Sequence, residues 1–72
     1  MAQSVVVFRS VTGALQAEKR LKAKGMTVKL IPVPRQLSSD CGVCLRFERQ
    51  CEAEVRRELE EQRIDVQGVY PV

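Results

Sequence analysis

The chain has no histidine and no tryptophan, and among its 72 residues only one tyrosine, two phenylalanines and three cysteines. Without histidine there is no imidazole to act as base or metal ligand near neutral pH, which leaves a cysteine thiolate as the strongest nucleophile available. Three cysteines do not make the even set on which small secreted domains build a disulfide framework. They also leave one chain a ligand short of a four-coordinate zinc site unless a carboxylate or a second subunit supplies the fourth, so no metal is expected; no cofactor is expected either. So few aromatics cannot interleave with basic residues as a stacking platform for single strands, and no nucleic-acid partner is expected. No apolar run approaches the roughly 20 residues that cross a bilayer. Ser4 leads straight into an apolar run, with no charged leader region and no longer hydrophobic segment before it. These absences predict a soluble, cytoplasmic chain with reduced thiols and no membrane association.

What is present fits one small domain, spanning residues 1–72, near the size at which folding buries only about 60% of the unfolded surface. The formal charge of +3 comes from basic residues spread along the chain, answered in the second half by a series of glutamates. Pairs such as Glu52 and Arg56 stand at helical i,i+4 spacing, the pattern of solvated helix faces.

Local patterns lay out the elements in order. Ser4 to Arg9 is β-branched and apolar and predicts a strand, with turn and cap chemistry in Ser10 to Gly13. From Gly13 to Lys24, the residues Ala14, Leu15, Ala17 and Leu21 recur at helical spacing, and Gly25 stands where a left-handed cap ends a helix. Met26 to Val33 alternates as a second strand, ended by Pro32 and Pro34, which have no N–H for a ladder. Val43, Leu45 and Phe47 alternate with Cys44, Arg46 and Glu48 as a third strand. Cys51 to Arg63 reads as a second helix with Val55 and Leu59 inward, and Val66 to Val72 as a fourth strand. The order β-α-β-β-α-β predicts an α+β, ferredoxin-like domain, a four-stranded antiparallel sheet with two helices on one face. Its other face is expected to be open, to carry Cys44 and Arg46 beside Val5, Val7 or Ile31, and to be available to a second copy or a partner protein.

Chemistry concentrates in the polar loop from Pro34 to Gly42, which delivers a cysteine and a glycine into the third strand. Cys41-Gly42-Val43-Cys44 has the spacing of redox motifs, but it enters a strand rather than a helix N-terminus, so no helix dipole lowers the thiol pKa. Three extended residues span roughly 10 Å. Disulfide-linked Cα atoms lie about 4.4 to 6.8 Å apart, so the pair bridges only if Gly42 makes a turn. Cys41 acting alone is the more economical nucleophile. Gly42 beside it allows close approach of a substrate, Ser38 and Ser39 offer hydroxyls and amides to an anion, and Arg35 and Arg46 add positive potential. Asp40 opposes thiolate formation if it faces the sulfur. The competing reading makes Cys41 a small residue filling a turn and Cys44 a small hydrophobe on a sheet face.

The segments Phe8-Arg9-Ser10, Ala14-Leu15, Ala17-Glu18-Lys19, Leu21-Lys22 and Gly25, then Lys29 to Arg35, Ser38-Ser39, Cys41-Gly42 and Leu45-Arg46-Phe47 together form a pattern. It resembles the selenium/sulfur carrier protein-like family over almost the whole chain, most specifically from Pro32-Val33-Pro34-Arg35 to Cys41-Gly42. That resemblance implies a small cytoplasmic bacterial protein of selenium metabolism and sulfur transfer. It implies that sulfur or selenium is held as a persulfide or perselenide on a cysteine, by position Cys41, with donor and acceptor proteins as partners; on this carrier reading Cys44 or Cys51 is the candidate resolving thiol. The alternative is a non-catalytic ferredoxin-like module that binds a ligand or a protein through the open face and the Ser38 to Gly42 loop. Neither reading makes the chain an enzyme by itself, because no second catalytic group of evident role accompanies the thiol.

Overall fold

The computed structural model describes residues 2–37 and 42–72. The elements follow one another as β1 (Gln3–Phe8), α1 (Val11–Ala23), β2 (Val28–Pro32), β3 (Val43–Glu48), a 3-10 turn (Arg49–Cys51), α2 (Glu52–Glu61) and β4 (Val66–Pro71). They form the expected β-α-β-β-α-β arrangement. All neighbouring strands are antiparallel, in the spatial order β2-β3-β1-β4, so each helix crosses over one intervening strand. The slab measures 29 × 28 × 16 Å, and its short axis is the thickness of one sheet and one helix layer.

Strand alternation sorts the core into two clusters. Val6, Phe8, Val28, Leu45 and Phe47 face the helices and pack on Ala14, Ala17, Leu21, Val55 and Leu59. Val5, Val7 and Cys44 point to the opposite side. The expected inward residues of both helices are buried except Leu15, which is 50% exposed because it lies a residue off the Ala14, Ala17, Leu21 stripe.

The helix boundaries follow from capping. Ser10, in extended conformation, accepts the Gly13 N–H on its Oγ at 3.1 Å, so α1 starts at Val11 rather than Gly13. At the other end Met26 donates its N–H to the Leu21 carbonyl and Gly25 to that of Lys22, with Gly25 at φ 82°. This closure uses Met26, so β2 begins only at Val28. The same pair of bonds ends α2, from Ile64 to Leu59 and from Arg63 to Glu60, with Arg63 in the left-handed position at φ 55°. At the front of α2, residues Arg49–Cys51 form a 3-10 turn, so the helix starts at Glu52 rather than Cys51.

Pro32 ends β2 as the sequence suggests, pairing with Val43 as the last rung of the ladder. Val33 donates its N–H to the Gly42 carbonyl at 3.2 Å, so alternate nitrogens along β2 face β3 and that of Pro32 faces outward from the sheet edge. At the opposite edge Val72 donates to the Gln3 carbonyl at 3.0 Å, which turns the nitrogen of Pro71 outward in the same way. Both edge strands therefore carry a proline where an outward N–H would otherwise stand, a common guard against edge-to-edge pairing.

Candidate functional site

The site is built around the connection between β2 and β3. The Val33–Gly42 hydrogen bond closes that connection, and the Leu37 N–H donates to the Pro34 carbonyl at 3.0 Å, folding Pro34 to Leu37 into a turn. Arg35 and Gln36 occupy the exposed tip of the turn, while Leu37 returns to pack with Val33 and Ile31 on Val5, Val7 and Cys44.

This packing corrects the expectation of an open second face. Val5, Val7 and Cys44 are all fully buried although no helix covers them. Cover comes from the segment after β2, whose Val33 and Leu37 have no place on the helix side and bury their apolar area here instead. At the β4 edge of the same face Gly68 stands opposite Val7, and an added Cβ on Gly68 would lie 2.5 Å from the Tyr70 hydroxyl, so the Tyr70 ring folds over the glycine.

Gly42 has φ 76° and is exposed, with nothing within 4 Å of where a Cβ would project. Its demand for glycine is therefore conformational and not one of space. It stands at the entry to β3 in the left-handed conformation. Gly42, Cys44 and Arg46 alternate onto the second face, and Cys44 lies between Ile31 and Val7 in the sheet, as expected. The Cys44 thiol is sealed, and its S–H points to the Pro32 carbonyl at 3.9 Å. Arg46 is half-buried in the next row, directly between Lys29 and Val5.

The sequence did not single out Lys29 as a site residue. Its place opposite Arg46 follows only from the register, which sets two cations side by side across strands where like charges oppose each other. Cys51 also takes a definite position, half-buried against the helix-side cluster. The sheet thus separates it from Cys44, and the structure does not bring the two thiols together. Ser38, Ser39 and Cys41 lie outside the described residues. Among the described residues no group of three Cys, Asp or Glu side chains is placed to hold a metal ion, and no helix is long and apolar enough to cross a membrane.

Comparison with known proteins agrees with the resemblance read from the loop. The chain is 38% identical over 45 residues to the "Uncharacterized protein YtiA" of Escherichia coli (strain K12), an overlap of 62% of this chain and 53% of that protein. The chain thus spans about half the length of that relative. No solved structure matches it. Residues 3–71, every strand and both helices included, match the family described as "Putative Se/S carrier protein-like". The chain belongs to this Se/S carrier protein-like family.

Proposed function

We propose that the chain is a non-enzymatic sulfur or selenium carrier that holds a persulfide or perselenide on Cys41 and passes it between a donor and an acceptor protein. The observation that carries this reading is family membership over 3–71. The cysteine next to Gly42 supports it, since that glycine's left-handed conformation turns the chain where the connection closes onto β3.

Loading is a sulfur transfer that needs no oxidant. The Cys41 thiolate attacks the terminal sulfur of a donor persulfide, R–S–SH. A new S–S bond forms on Cys41, the donor's S–S bond breaks, and the donor leaves as its thiolate. Delivery is the same exchange with the acceptor's thiolate as nucleophile. Cys44 takes part as resolving thiol only when the segment carrying Val33 and Leu37 lifts from it. Its attack on Cys41 would then form a Cys41–Cys44 disulfide and release hydrosulfide. Arg35, on the exposed turn, and Arg46 and Lys29, paired across β3 and β2, are cations in the described part of the site that favour an anionic persulfide.

Intact-mass spectrometry of the reduced protein after incubation with a cysteine desulfurase and cysteine tests this reading. One added sulfur on the wild type and none on Cys41→Ser is the expected result. An adduct of equal yield on both proteins would move the carrier role away from Cys41, and none on either would leave a binding module.

A further inference from the structure

The outer face of α1 carries a surface that the carrier chemistry does not use. Val11 and Leu15, one turn apart, are 48% and 50% exposed, which makes them two of the four large hydrophobic side chains left in solvent among the described residues. Lys19 continues the same stripe a turn later. Alongside runs a groove of about 370 Å³ between α1 and the turn after α2, lined by Gln16, Lys19, Arg20, Ala23, Gln62 and Ile64.

Three features of this groove act together. Its lining has two cations and no carboxylate. Neither cation is held in a contact ion pair among the described residues: those at this end of α1 use Lys22 with Glu18 and Lys24 with Glu58, Arg20 acting on Glu58 only through its field. Ala23 and Ile64 give the groove an apolar element, and the amides of Gln16 and Gln62 can each both donate and accept. A volume in the range of ordinary binding clefts, with a net charge of +2 and an apolar stripe beside it, is complementary to one kind of occupant.

We propose that this face docks an acidic segment of a partner protein, its carboxylates meeting Lys19 and Arg20 and its apolar side chains covering Val11 and Leu15. Nucleic acid shares the charge but not the apolar stripe, and α1 offers it no aromatic to stack on. Nothing in this inference uses Cys41, so it stands or falls separately from the carrier reading.

The test is a two-dimensional amide NMR titration of the full chain with a synthetic peptide of alternating glutamate and leucine pairs. Saturable shifts are expected along α1 and at Gln62 to Ile64. Binding should be about tenfold weaker in the Lys19→Gln/Arg20→Gln variant, both changes being on the surface. Leu15→Ser should weaken it as well, with an unchanged spectrum elsewhere. No saturable shift, or shifts centred on the second sheet face, overturns the proposal. Equal affinity for poly-glutamate reduces the surface to bare charge and also overturns it, as does tighter binding of a single-stranded RNA.

Discussion

The ammonium of Lys24, just past the end of α1, stands 2.7 Å from Oε1 of Glu58 in α2, whose side chain is only 4% exposed. Glu58 shares the buried side of α2 with Val55 and Leu59, so this contact, helped by a hydrogen bond from Gln62 and the charge of Arg20, makes a carboxylate tolerable there and ties the two helices together. The hydrogen bond to Lys24 holds the Glu58 carboxyl below its ordinary value of 4.5, against the opposing effect of desolvation. Its counterpart raises Lys24 above 10.5.

The sign of the pH dependence follows. Glu58 has a depressed folded value, so its contribution is complete above the ordinary carboxylate range and is lost as pH falls through that folded value. Lys24 has a raised one, so its contribution is complete below 10.5 and is lost as pH rises through the folded value. Urea midpoints measured from neutral pH down to about pH 2 should fall more steeply for wild type than for Glu58→Gln. Parallel curves would show that the pair adds nothing.

Arg63 pays a steric penalty at φ 55°, in the position Gly25 fills at the end of α1. Arg63→Gly should raise stability by about 0.5–1 kcal/mol, the left-handed penalty relieved less the added entropy of the unfolded chain. Chemical denaturation would detect it, and a loss of stability would mean that the Arg63 side chain contributes more than its backbone costs.

Gly68 lies beneath the Tyr70 ring, and a Cβ there would meet the hydroxyl at 2.5 Å and Cζ at 2.7 Å. The obstacle is the far end of a side chain that is 36% exposed, so in Gly68→Ala the ring should swing outward and leave the backbone in place. The expected cost is below about 1 kcal/mol. With one tyrosine and no tryptophan, fluorescence reports this site alone, and an unchanged tyrosine signal would count against the displaced ring.

Cys44 should resist alkylation in the native protein and react at its unfolding rate, being fully buried under Val33 and Leu37. Cys44→Ser puts a hydroxyl against Val5 and Val7 and should cost about 1–2 kcal/mol. Peptide mapping after a short iodoacetamide pulse separates the cysteines; rapid native labelling of Cys44 would show that the covering segment opens readily.

Much of the fold was legible because its signals are local. Ser10 and Gly25 mark the ends of α1 through their own backbone and side-chain chemistry, and the alternation from Val43 to Glu48 assigns β3 its two faces. Arg63 gave no such signal, since a left-handed cap is read from glycine and here the closing bonds of α2 impose it on arginine. Pro32 reads as a strand terminator, and β2 does end there, but only the register shows its nitrogen pointing off the sheet edge. The site was legible as a loop with a glycine at its exit. Its cover was not, because Leu37 reaches Val7 and Cys44 only when three strands lie side by side.

By itself the sequence determined the element order, the caps of α1, the face assignments and the absence of imidazole chemistry, all of which depend on composition or on residues within a few positions of one another. Only the tertiary structure decided that Val5, Val7 and Cys44 are sealed on the side without helices, that Lys29 stands opposite Arg46, and that Glu58 is buried against Lys24. Each of these joins residues far apart in the chain, and burial or pairing at such distances is set by strand register and helix packing rather than by any local pattern.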